Sequence, residues 1–273
     1  MPRASVGDLI REWRVRRRRS QMDLALDAGV STRHLSFVET GRARPSPELV
    51  LALARHLDVP LRDRNTMLLA AGYAPRFSHR PLDDAAMAPI RASIQRMLDA
   101  HLPYPGLAVD RGWNMVMANE AALLLTAGVD PALLEGHVNV YRLTLHPGGL
   151  APRLLNFTDV AAYAVEQLRR SAATTGDPGL ARLLEEVLAY PDVARIRPLL
   201  DLAEGDEPPL LVPFRMAGPT GEISLFTTIT TFGTPMDVTL DELAVELFYP
   251  ADEASAATLR DLASAMGIAG PRA

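Results

Sequence analysis

The chain has 273 residues, 48% of them apolar, enough for two domains and a sizeable buried core. Zero cysteines exclude disulfides, thiol nucleophiles and cysteine-based zinc sites, and no apolar run approaches the ~18 residues of a membrane span. The net charge of −5 hides an asymmetry: residues 1–80 hold 15 arginines against 8 acids, and residues 81–273 hold 13 arginines against 25 acids.

A basic head on an acidic body is the balance expected when only the head meets a polyanion. Two unrelated surfaces with chance charge are the alternative. Every basic residue is arginine and lysine is absent. That pattern fits the codon bias of a GC-rich bacterial genome, so arginine content alone argues nothing about binding. The N-terminus enters an amphipathic segment with no signal-peptide apolar region before it, which predicts a cytoplasmic location.

In chain order, Val6, Leu9, Ile10 and Trp13 recur at helical spacing and predict a first amphipathic helix. Arg11, Arg14 and the run Arg16–Arg19 crowd its other face and its C-terminal end. The run is either a clamp on a nucleic-acid backbone or a solvated helix end. Ser20 caps a second helix with Asp23 at N3, and Leu24, Ala25 and Ala28 form its inner face. Gly29 ends it by taking positive φ at no steric cost, and Val30 turns inward. Ser31 caps a third helix with Leu35 and Val38 inside and Gly41 at its end. Ser46-Pro47-Glu48 start a fourth, and Leu61 to Ala71 form a fifth that Gly72 ends. Two capped short helices joined by a Gly-Val turn within about twenty residues make a helix-turn-helix, whose second helix enters the major groove.

The string Ser20-Gln21-Met22-Asp23-Leu24-Ala25, then Gly29-Val30-Ser31, then Leu35 through Arg42, then Arg44-Pro45-Ser46 resembles the XRE family of phage-repressor-like regulators over residues 5–72. Thr40 stands where that family often has arginine. The resemblance implies that Gln21 reaches a phosphate and braces the reading helix. It implies that Thr32, Arg33 and Ser36 face base edges with His34 at the border, and that Thr40, Arg42 and Arg44 hold the DNA backbone. The physics of the side chains agrees: Arg33 can fork two hydrogen bonds onto guanine, and arginines on a loop after the helix suit phosphates. A solvated Arg33 and a rim His34 are the bland alternatives.

Residues 74–88, interrupted by Pro75 and Pro81 with charges between, are expected to link a head of residues 1–73 to a body of residues 89–273. Ile90, Ile94, Met97 and Leu98 restore a helical stripe. Leu107–Val109 and Trp113–Met117 around Asp110-Arg111-Gly112 predict a hairpin, and Asn119 caps a helix from Glu120 to Thr126. Helices follow at Leu154–Arg170 and Pro178–Tyr190. Strands follow at Leu210–Met216, Glu222–Phe232 and Glu242–Tyr249, with a closing helix at Ser255–Met266. The fold class is thus an all-α five-helix head followed by an α+β body, an antiparallel sheet with inserted helices in the order of a PAS-like domain.

Tyr104-Pro105, Asp110, Trp113-Asn114, Ala118-Asn119, Asn139, Arg142 and the run Leu247 to Asp252 resemble the MmyB-like ligand-binding domain over residues 100–252. The resemblance implies a small apolar ligand such as a fatty acid, held between sheet and helices. Met115, Met117, Phe214 and Phe226 are its candidate apolar contacts on the strength of the resemblance, although spacing alone favours an ordinary core. Arg142 and Arg153 are candidate anchors for a carboxylate, with Tyr104 or Asn119 adding a hydrogen bond. No glycine-rich phosphate loop, metal-spaced histidine pair or nucleophile elbow occurs, so neither catalytic residues, a metal nor a cofactor is expected. The combined expectation is a DNA-binding regulator, by family habit a repressor, that acts as a homodimer on double-stranded operator DNA without contacting membranes. A body that only oligomerises, with no ligand, is the alternative.

Overall fold

Local capping chemistry sets the helices of the head. Ser5, Ser20, Ser31 and Ser46 each accept a hydrogen bond from the backbone N–H three residues on, which satisfies a donor that the first turn would leave orphaned. The helices that follow are α1 (Val6–Arg16), α2 (Gln21–Asp27), α3 (Thr32–Glu39), α4 (Pro47–His56) and α5 (Leu61–Ala70). Their inner faces bury Ile10, Trp13, Leu24, Leu35, Leu53, Leu57 and Met67 in one cluster. Gly7 lets α1 approach the end of α3, since a Cβ there would lie 2.4 Å from the Val38 carbonyl oxygen.

The computed structural model describes residues 4–202, 211–218 and 221–268. After the head come α6 (Ala88–Ala100), β1 (Gly106–Val109), β2 (Met115–Ala118), α7 (Leu123–Thr126), α8 (Val140–Leu145), α9 (Phe157–Thr175), α10 (Pro178–Leu188) and α11 (Pro191–Leu202). Then follow β3 (Phe214–Gly218), β4 (Gly221–Thr231), α12 (Val238–Asp241), β5 (Ala244–Pro250) and α13 (Glu253–Ala265). The five strands form one antiparallel sheet in the order β2-β1-β5-β4-β3. The hairpin, the inserted helices and the longer antiparallel group thus appear in the expected order. Helices α8 and α11 were not anticipated. Leu210, where the third strand was expected to begin, and Pro219-Thr220 in the following turn lie outside the described residues.

The body has two main apolar clusters. One covers a face of the sheet, with Leu107, Met216, Ile223, Leu225, Phe248 and Leu259. The other joins α8 to α11 through Leu145, Val165, Leu168, Leu183, Val187 and Val193. At a glutamate, β5 breaks the rule that inward strand positions are apolar: Val245, Glu246 and Phe248 are all buried.

The chain divides into two compact units, and the division differs from the expected one. The first unit contains the residues up to Pro81 together with Gly233–Asp241, and the second contains Leu82–Phe232 and the residues from Glu242 onward. Two expectations change accordingly. Residues 74–81 are not free linker, because the Asn65 side chain accepts from the N–H groups of Arg76 and Phe77 and donates to the Phe77 carbonyl. Nor does everything after residue 88 belong to the body. Ser78 donates its hydroxyl to Asp237 at 2.7 Å, and its carbonyl accepts from the Val238 N–H. Helix α5 begins after Pro60, which has no capping side chain, and Asp241, 180 residues downstream, accepts from the Leu61 N–H at 2.9 Å in its place.

Candidate DNA-reading face and ligand cavity

Helix α3, the expected reading helix, is presented by a short turn. Gly29 takes φ +68°, as the turn requires, and Val30 packs into the core beneath it. The buried Glu39, at the end of α3, accepts two parallel hydrogen bonds from Arg14 of α1, at 2.7 and 2.9 Å, and one from the Gln21 amide of α2 at 2.7 Å. Burial pushes this carboxyl up, but the bonds from Arg14 and Gln21 outweigh it and leave the group below the ordinary carboxylate range. Three helices are thereby locked around one acid. The sequence reading expected Gln21 to brace this helix but singled out neither Glu39 nor Arg14 as its partners. The available signal was an acid at the C-terminal end of a helix, where the dipole disfavours it unless a cation is near.

Thr32 and Arg33 lie exposed at the N-terminal end of α3, with the Arg33 guanidinium over the Phe37 ring at 5.3 Å. His34 and Ser36 are half-buried behind them. Thr40 is exposed and its hydroxyl bonds back to the Ser36 carbonyl; Arg42 is exposed on the following loop. Two expected DNA contacts have other duties. Gln21 spends an amide hydrogen on Glu39. Arg44 donates to the Ala71 and Gly72 carbonyls and lies over the Tyr73 ring at 4.9 Å, closing the C-terminal end of α5. The Arg16–Arg19 run matches neither alternative as a whole. Arg16 pairs with Glu12, Arg17 donates to the Leu57 and Asp58 carbonyls, and Arg19 pairs with Asp27, while Arg18 is exposed.

In the body, the residues that carried the resemblance largely build a turn. Asp110 accepts from the N–H groups of Gly112 and Asn114 and from the Asn114 amide, and Asn139 donates to the Gly112 carbonyl and to Asn114. Trp113 sits within this turn at φ +61°, a conformation costly for a bulky side chain, and packs edge-on against Tyr141. For that reason β2 begins only at Met115.

The sheet face and helices enclose a cavity of about 30 Å³, with Leu107, Val140, Leu143, Phe214, Met216 and Phe248 on its lining. A larger hollow of about 270 Å³ is an open groove on the head beside Gly7 and Arg44. Of the eight expected ligand contacts, only Phe214 lines the body cavity. Phe226 stacks on Tyr249. Met115 and Tyr104 pack at the margin of the sheet cluster, and Met117 is half-buried on β2. The proposed polar anchors are bound elsewhere. Asn119 bridges the Gly106 N–H and the Leu98 and Tyr104 carbonyls while capping the turn after it; Arg142 forks onto Glu186 at 2.7 and 2.8 Å; Arg153 donates to the Leu125 and Ala127 carbonyls. These partners are distant in sequence, so spacing could not reveal them.

One polar residue that the sequence reading missed does line the cavity. Glu246 is buried, and its Oε2 has no hydrogen-bond partner. Burial drives its carboxyl up to about 7, against a smaller downward pull from Thr227. Burial, and then the nearby Glu246, also push the Tyr141 phenol upward. Among the described residues, no group of three or more His, Asp or Glu could hold a metal ion, and no helix is long and apolar enough to cross a membrane.

Residues 5–67 match the family model of a helix-turn-helix domain, and residues 90–262 match that of the MmyB-like transcription regulator ligand binding domain. No curated protein matches the chain. Among solved structures, an RNA-binding Light-Oxygen-Voltage receptor aligns at 11% identity and a TM-score of 0.26, over 97% of this chain and 64% of that one.

Proposed function

This chain belongs to the family of the MmyB-like transcription regulator ligand binding domain, joined to a helix-turn-helix, and on that premise we propose that it is a cytoplasmic, homodimeric repressor whose body senses a small apolar ligand. The observation that carries the DNA half is the reading helix. Thr32 and Arg33 stand exposed at the N-terminal end of α3, which Glu39 fixes to α1 and α2, so the side chains that reach bases are held on a rigid support. Two copies join half-sites about one helical turn apart, because one reading helix makes too few contacts. Ligand acts by its differential affinity for the DNA-competent and incompetent states. Fatty acids are the ligand class that the sequence resemblance suggests.

Selection of operator sequences by the full-length protein, followed by quantitative binding of Arg33→Ala, tests the DNA half. The variant should lose about 1–3 kcal/mol of discrimination at one base position. Unchanged base preference would remove Arg33 from the reading face. Native mass spectrometry of the purified protein tests the rest, through a retained ligand and the dimer mass.

A second reading has an observation in its favour. The cavity beside the sheet holds only about 30 Å³, room for about one water, as expected of a body that only oligomerises. A ligand-free dimer that binds its operator with unchanged affinity in the presence of apolar compounds would establish that reading instead.

A further inference from the structure

The acid on the cavity wall, one of whose oxygens lacks a partner, bears on the chemistry of the ligand. The cavity is otherwise lined by aliphatic and aromatic side chains apart from Thr144, and no cation lies on its lining. The two arginines that could have greeted a carboxylate are both engaged, Arg142 with Glu186 and Arg153 with backbone carbonyls. Glu246 Oε2, on the same lining, is buried with no hydrogen-bond partner. An acceptor in that position costs free energy until a donor reaches it. A carboxylate beside it binds only if one of the two acids takes up a proton, since two carboxyls in one apolar site cannot both ionise.

We propose that Glu246 is the polar anchor of the body's ligand, which is therefore an apolar molecule whose head group donates a hydrogen bond, an alcohol or an amine, and not a carboxylate. This rests on the sensor reading above but replaces the fatty-acid class that the sequence resemblance suggests. A volume of about 30 Å³ accommodates one hydroxyl or amino group against Oε2. The apolar remainder of the ligand displaces neighbouring side chains, a demand that the unbranched thioether of Met216 suits. A hydroxyl satisfies the acceptor, and an ammonium also neutralises it.

The experiment is binding of 1-decanol, decylamine and decanoate to the full-length protein at pH 8.5, above the raised value of the Glu246 carboxyl, below their micellar concentrations, by calorimetry. Wild type should bind decanol, decylamine or both about tenfold or more tightly than decanoate, the worth of one hydrogen bond to a charged group. The contrast between decanol and decylamine separates a neutral donor from a cation. Glu246→Leu should erase the preference. Glu246→Gln keeps the volume and adds an amide donor, and should shift the preference toward decanoate. Decanoate binding as tightly as both donors, or a rank order that Glu246→Gln leaves unchanged, would overturn the head-group assignment while leaving the sensor reading standing. If none of the three binds wild type, the sensor reading falls and the anchor with it.

Discussion

Each unit of this protein buries a glutamate, and the two are opposites. Glu39 in the head accepts from Arg14 and Gln21, so burial is compensated and the carboxyl stays ionised below its ordinary range. Glu246 in the body keeps an unpartnered oxygen on a cavity wall, and burial drives it up to about 7. The first acid fastens three helices together. The second weakens the fold that contains it, which is the signature of a group arranged for something other than stability.

The comparison breaks most readily at the head. Glu39→Ala leaves Arg14 nine-tenths buried without its partner and should cost about 3–5 kcal/mol, read as loss of the head's unfolding transition in denaturant. If the variant unfolds like wild type, the brace is ornamental. The body should respond in the reverse sense. Glu246→Leu removes an unsatisfied acceptor and should stabilise that unit by about 1–3 kcal/mol at pH 8, with a smaller gain at pH 5.

Acid titration sharpens the contrast because the signs differ. A depressed carboxyl such as Glu39 supports the fold above its unfolded value of 4.5 and loses that support as pH falls through its lower folded value. A raised one such as Glu246 has its contribution in full below 4.5 and loses it as pH climbs toward 7. Unfolding followed from pH 3 to pH 8 should therefore show the head weakening at the acid end and the body weakening between about 4.5 and 7. Glu246→Gln should flatten only the second slope.

The smallest expected effect applies the same rule to two arginines of one loop. Arg44, already bonded to Ala71 and Gly72, should on replacement by alanine lower head stability and leave the salt dependence of operator binding alone. Arg42, exposed, should do the reverse and reduce the salt slope by about one. Equal effects of the two on DNA would mean that Arg44 leaves its carbonyls when the head docks.

What was legible in the sequence was local. Serine caps, glycine ends and apolar stripes specify α1 to α4, because each signal and the backbone group that it satisfies lie within four residues, whereas the cap on α5 comes from Asp241 far along the chain. The β4 strand announced itself by its run of β-branched and aromatic residues. The engagements of Arg142, Arg153 and Asn119 were not legible, since their partners arrive from other elements. Glu246 was partly legible: an acid in step with Ala244 and Phe248 on a predicted strand is a polar residue at an inward position. The pattern exposes that anomaly, although not the missing partner.

The cap on α5 has a consequence for anyone who would move the head elsewhere. Its N-terminal donor is satisfied by Asp241, from a segment that leaves β4 and returns to β5. The first unit is thus written in two separate stretches of chain, and the polypeptide passes between the units three times. Grafting residues up to 81 onto a foreign partner would transplant an incomplete object. Such a chimera needs the Gly233–Asp241 stretch supplied in its own place, or a designed cap at position 60. Recombination between relatives would succeed most readily where both stretches are exchanged together.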